Sequence, residues 1–212
     1  MRVAIVGGHG KIARHLARIL TQNGDEAISI VRKREQFEAV RVHGGEPVLC
    51  DVEAADAPTL AEVIAGADAV VFAAGAGPGS GAERKETVDF GGAVTLIEAA
   101  KFARVPRYVM ISAVGADSSH PGDEVFDVYL RAKGRADDEL VASGLDHTVL
   151  RPVGLTDEPG TGHVALAADR DAKIPREDVA AAVAVALAEP ATIGRTYVLA
   201  SGDTPISEAL RG

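Results

Sequence analysis

Short runs of apolar residues recur along the chain, each followed by apolar positions spaced three or four apart. Residues 3–6, 28–31, 47–50, 69–73, 108–112, 148–150 and 196–199 have the length of strands. They are apolar nearly throughout rather than alternating, as expected of strands covered on both faces. Between the first two, Ile12, Leu16, Ile19 and Leu20 fall on one helical face, and Asn23-Gly24 supplies a stop. Val88, Gly92, Leu96, Ala99 and Ala103 mark a second helical face before Pro106, and residues 127–143 read as a third helix ending at Gly144. Residues 174–179 read as a further helix start with acids in its first turn. Strand alternating with helix predicts an α/β fold of Rossmann type, a doubly wound parallel sheet with helices on both faces. No repeat or low-complexity linker divides residues 1–212, which are read as a single domain. Residues 152–173 are expected to be irregular and to form a small cap on the substrate side, over the carboxyl ends of the strands.

Charge and composition narrow the partners. With 22 basic and 31 acidic residues among 212, the formal charge is −9, which argues against a general nucleic-acid binder or a polybasic membrane-surface protein. The longest strongly apolar run, residues 179–188, is about half of the ~20 residues a membrane span needs. The lone Cys50 excludes an intramolecular disulfide and a multi-cysteine zinc site, and it fits a reducing compartment. The expectation is a cytoplasmic monomer or homodimer acting on a small-molecule substrate, with no metal, nucleic-acid or membrane partner.

The first strand runs directly into Gly7-Gly8-His9-Gly10-Lys11-Ile12-Ala13. Gly7 permits a tight turn, Gly10 lets a pyrophosphate approach the backbone, and small Ala13 lets helix and strand pack closely. A glycine pattern alone says little; one that leaves a strand and opens an amphipathic helix predicts a dinucleotide cradle. Gly7, Gly8, His9, Gly10, Lys11 and Ile12 are its expected wall, although His9 and Lys11 read better as solvated loop residues than as phosphate contacts. The second strand ends in Val31-Arg32-Lys33-Arg34. A free ribose 2′-hydroxyl usually meets an acid there, whereas a 2′-phosphate is matched by Arg. Arg32, with Lys33 next, therefore favours NADP over NAD, the alternative being a solvated basic start to a helix. Asp51 and Val52, after the third strand, are placed against the adenine or in a solvated turn.

Taken together these residues resemble the atypical short-chain dehydrogenase/reductase family, in its NmrA-like and flavin-reductase-like branch. Ala73-Ala74-Gly75, Ser112-Ala113, Arg151-Pro152-Val153-Gly154, residues 174–180 and residues 201–206 extend the likeness over nearly the whole chain. The resemblance implies that Ala73, Ala74 and Gly75 lie along the cofactor, while Pro152 and Val153 border its nicotinamide end. Tyr129 and Lys133 resemble the family's YxxxK pair, and their spacing puts both on one helix face. By that likeness Tyr129 handles a proton, Lys133 favours the phenolate and holds the ribose, and Ser112 polarises the same substrate oxygen. Asp89 departs from the Asn-containing helix common in the family. The implied activity is NADP(H)-dependent hydride transfer to a small carbonyl, quinone or flavin-like acceptor. A non-enzymatic NADP(H)-binding redox sensor is the alternative. A sugar-nucleotide epimerase or dehydratase is a weaker third, because little chain follows Lys173 to build a subdomain.

Overall fold

The apolar runs become neighbouring strands: β1 (Arg2–Val6), β2 (Glu26–Val31), β3 (Glu46–Leu49), β4 (Ala69–Phe72), β5 (Arg107–Ile111) and β6 (Asp146–Pro152). Three short strands follow, β7 (Gly154–Thr156), β8 (His163–Ala165) and β9 (Lys173–Pro175), before the long β10 (Arg195–Pro205). The structure is a computed structural model and describes residues 1–77, 79–166 and 171–212. The main sheet has the order β3-β2-β1-β4-β5-β6-β10-β8, parallel throughout except for β8, which runs against β10. The chain moves outward from β1 to β3 and returns to β4 on the other side of β1. That reversal opens a crevice beyond the carboxyl ends of β1 and β4, the usual ligand position in such sheets.

Alternate residues of β1 serve two cores. Val3 and Ile5 pack with α1 (Lys11–Gln22), and Ala4 and Val6 face the opposite layer. The first half continues with the short α2 (Phe37–Arg41) and α3 (Ala57–Val63). The one-turn α4 (Ala82–Arg84) then runs into a π-helical stretch, Lys85–Gly92, and on into α5 (Ala93–Ala103). The long α6 (Val125–Ala142) precedes β6, and α7 (Arg176–Ala188) and α8 (Ile206–Ala209) close the chain. Leu16 and Leu20 of α1 join Val179 and Val183 of α7 in one core, and Leu60 of α3 joins Leu96 of α5 in the other. Full burial of each such aliphatic side chain contributes about 1.5–3 kcal/mol.

Two expectations are modified. Ile174 and Pro175 belong to β9, and the helix starts only at Arg176. The stretch read as irregular carries β7, which pairs in parallel with β9, and β8, which edges the main sheet; residues 167–170 of that predicted cap lie outside the described residues. Among the described residues no helix is long and apolar enough to cross a membrane, and no group of His, Cys, Asp and Glu is arranged to hold a metal ion.

Candidate active site

The turn after β1 is tight because β4 is so close. Gly7 has φ +83°, and a Cβ there would lie 2.7 Å from the Ala74 backbone. The Gly10 N–H donates to the Gly7 carbonyl at 2.8 Å and closes the turn. Gly10 directly precedes α1, whose N-terminus has no side-chain cap and no acidic residue in its first turn. Its first N–H groups, and the positive end of its dipole, are therefore available to an anion. A cleft of ≈ 200 Å³ begins here, bordered by Gly7, His9, Gly10, Arg32, Asp51 and Val52, with Ala73, Ala74 and Gly75 along its floor. Arg32 is exposed at the far end and forms no ion pair among the described residues. An uncapped helix start at one end and a guanidinium at the other fit a nicotinamide dinucleotide. Glu53 also borders the cleft. It accepts from Arg84 at 2.8 Å and from the Thr87 hydroxyl at 2.6 Å, and these bonds hold its carboxyl below the ordinary range.

Gly8, Lys11 and Lys33 do not line this cleft, and Ile12 borders the neighbouring cavity instead. A Cβ on Gly8 would lie 2.6 Å from that of Ser29, so Gly8 serves the packing of the turn on β2. Lys11 pairs with Asp157 and ties the helix start to the segment after β7. Lys33 heads the 3-10 turn Arg34–Gln36, its backbone N–H donating to the Gln36 side chain at 3.2 Å.

A larger cavity of ≈ 720 Å³ shares Ala73, Ala74 and Gly75 with the cleft. Ile12, Ser112, Tyr129, Lys133, Pro152 and Val153 all border it, so α1, α6 and the ends of β5 and β6 bring these predicted residues to one space. Lys133 is nearly enclosed. Its ammonium lies 3.3 Å from a carboxylate oxygen of the fully buried Asp89, and it donates to the Ile111 and Ala74 carbonyls at 3.2 and 3.4 Å. The other Asp89 oxygen accepts from the Ala76 N–H at 3.1 Å. Tyr129 packs on Phe126, ring centroids 5.9 Å apart, and the Lys85 ammonium sits 5.3 Å from its ring centre. Burial pushes the Tyr129 phenol above its ordinary value and outweighs the opposing pull of Lys133. Lys133 pulls toward the phenolate, as expected of it, but burial is the larger influence and the phenol stays protonated.

Ser112 is equally constrained. Its hydroxyl donates to Asp137 at 2.7 Å, and the Arg151 guanidinium donates to the same oxygen at 2.9 Å. Burial raises the Asp137 carboxyl despite both bonds. With its proton given to Asp137, Ser112 turns lone pairs rather than a donor toward other groups. Lys85, Asp137 and Arg151 were not singled out for chemistry by the sequence. Asp137 had a visible signal, since Tyr129, Lys133 and Asp137 are each four apart on α6. Lys85 had none, because its burial depends on the π-helical winding of Lys85–Gly92.

Residues 7–190 match a protein family described as NAD(P)H-binding. The chain is 40% identical to the uncharacterized sugar epimerase YhfK of Bacillus subtilis, covering 100% of this chain and 99% of the relative. A solved structure from Bacillus halodurans, named among the NAD-dependent epimerases/dehydratases, superposes with a TM-score of 0.91 at 38% identity, covering 99% of this chain and 98% of that one. The oxidoreductase ylbE from Lactococcus lactis gives a TM-score of 0.87 at 28% identity, covering 99% and 95%. With the glycine turn, the parallel sheet and the joined cavities, these likenesses show that the chain belongs to the NAD(P)H-binding family of Rossmann-type, oxidoreductase-like proteins, in a branch like the atypical short-chain dehydrogenases/reductases.

Proposed function

We propose that the protein is an NADP(H)-dependent oxidoreductase that reduces a small carbonyl, quinone or flavin-like acceptor, working in the cytoplasm as a monomer or homodimer. One observation carries the reading: the cleft at the glycine turn and an apolar-walled cavity share the Ala73-Ala74-Gly75 edge. The first turn of α1, with Gly7, Gly10, Asp51 and Val52, would hold the dinucleotide, and Arg32 would meet its 2′-phosphate. When bound, the nicotinamide supplies hydride to the acceptor. The protein supplies the rest. Tyr129, which borders the cavity, donates a proton to the acceptor oxygen and is left as a phenolate that the Lys133 ammonium one turn away favours. Lys133, anchored by Asp89, fixes the junction of the two cavities, and Ser112 accepts a hydrogen bond from the bound ligand. Val125, Phe126 and Leu155 give the cavity an apolar rim.

The test is to titrate NADPH and NADH by fluorescence and then follow NADPH oxidation with aromatic aldehydes, quinones and flavins. Tighter binding of NADPH and acceptor-dependent oxidation support the proposal. Binding without oxidation by any acceptor class would instead make the protein a cofactor sensor.

A further inference from the structure

The substrate cavity holds two lysines and one acid. Lys85, Lys133 and Asp89 are its charged lining residues, giving a local charge of +1 (2 − 1) in a chain whose formal charge is −9. Lys133 and Asp89 are spent on each other across 3.3 Å. Lys85 is different. It is only 8% exposed, yet among the described residues it forms no ion pair. Its ammonium donates to the Gly77 carbonyl at 3.0 Å and faces the Tyr129 ring, its nitrogen 5.3 Å from the ring centre. An ammonium has three N–H donors, so one carbonyl and one ring leave it short of partners. Burying a charge without a counter-charge is costly, and a natural way to offset that cost is an anion supplied by the ligand.

The surroundings restrict which ligand this is. Lys85 borders the substrate cavity and not the nucleotide cleft, where the helix start and Arg32 already answer the phosphates. Across the same space stand Val125, Phe126, Val153 and Leu155, which favour an apolar or aromatic body. The π-helical winding that buries Lys85 also buries Asp89 four residues later, and π-helical turns concentrate at functional sites.

We propose that Lys85 is an anion-recognition residue, and that the acceptor is an aromatic or otherwise apolar compound bearing a carboxylate. This rests on the oxidoreductase reading for what the cavity is used for, but anion recognition can be measured without turnover. Benzoate and its neutral isostere benzamide are titrated by calorimetry into the whole protein, with and without NADP⁺, and into Lys85→Met and Lys85→Arg. Benzoate is expected to bind about tenfold more tightly than benzamide to the wild type, as for one charge-assisted hydrogen bond. That preference should vanish in Lys85→Met, survive in part in Lys85→Arg, and leave NADPH affinity within about twofold of the wild type. Equal affinity of the wild type for the two probes overturns the proposal, and this comparison needs no variant to fold. A preference unchanged in Lys85→Met overturns it too, as does a loss of NADPH binding in that variant, which would assign the lysine to the cofactor. Failure of NADPH oxidation with every acceptor would count against the enzyme reading alone, because the benzoate preference is scored independently.

Discussion

Tyr129 and Lys133 stand one helical turn apart and end in opposite electrical situations. The lysine is matched by Asp89, while the tyrosine is left with burial as its dominant influence, and its phenol titrates above the ordinary value of 10.0. A weak acid whose pKa is raised stays protonated longer as pH rises, so donation persists through neutrality and fails only beyond the ordinary tyrosine range. A spectrophotometric tyrosine titration should show that the signal missing from Tyr129→Phe is one that ionises above pH 10.0. The same substitution should reduce aldehyde turnover by roughly 10²–10⁴-fold with NADPH affinity retained. A flavin acceptor should be spared, since a reduced flavin can take its proton from water. At the other end of the cleft, Arg32→Ala should narrow the gap between NADPH and NADH affinities, losing about tenfold for NADPH and little for NADH. Competition titration checks this, and parallel losses for both cofactors would remove Arg32 from the 2′-phosphate.

At the scale of elements, α6 owes its position to a missing side chain. A Cβ on Gly134 would lie 2.2 Å from the Asp117 carbonyl carbon and 2.3 Å from the Ser118 nitrogen, so the helix lies directly on the loop after β5. Gly134 sits between Lys133 and Asp137, the two residues that anchor the site. Gly134→Ala should separate helix and loop, costing about 1–3 kcal/mol in urea unfolding despite the better helix propensity of Ala. An unchanged or higher stability would mean that the contact yields freely. This junction marks a limit of sequence reading. The alternation of apolar runs and helical faces identified β1 to β6, β10 and the main helices, because each buries a periodic stripe. Nothing periodic announces that Gly134 meets backbone from a loop, or that a helix begun at Ala82 winds through a π-helical stretch before Ala93. Those features arise from contacts between distant segments. The same holds for Gly8, readable as part of a phosphate cradle but fixed by Ser29 of β2.

Over the whole molecule, the point where the chain returns from β3 to β4 dictates where chemistry can occur. The glycine turn, the Ala73-Ala74-Gly75 edge, Ser112 and Val153 all leave the carboxyl ends of central strands; the turn was legible from its own place after the first strand, the others through the family resemblance. Lys85 borders the cavity from the π-helical stretch, and Asp137 with Arg151 holds Ser112 from behind; of these only Asp137, in step with Tyr129 and Lys133 on α6, carried a sequence signal. Since the joined cavities span both halves of the sheet, a dinucleotide in them should stabilise the whole fold. NADPH at 100 times its Kd should add about 2.7 kcal/mol to the unfolding free energy, with NADH adding less at equal concentration. Thermal melts over a cofactor series test this; an NADPH-independent midpoint would contradict binding to the folded state. The central claim is hydride transfer, and the most direct measurement follows the atom itself. NADPH carrying deuterium at C4, on each face in turn, is incubated with the protein and 4-carboxybenzaldehyde, and the product alcohol is weighed by mass spectrometry. One deuterium is expected in the alcohol from one of the two labelled cofactors, and none from the other. Alcohol without label from either, or no alcohol from a protein that binds NADPH, would contradict it.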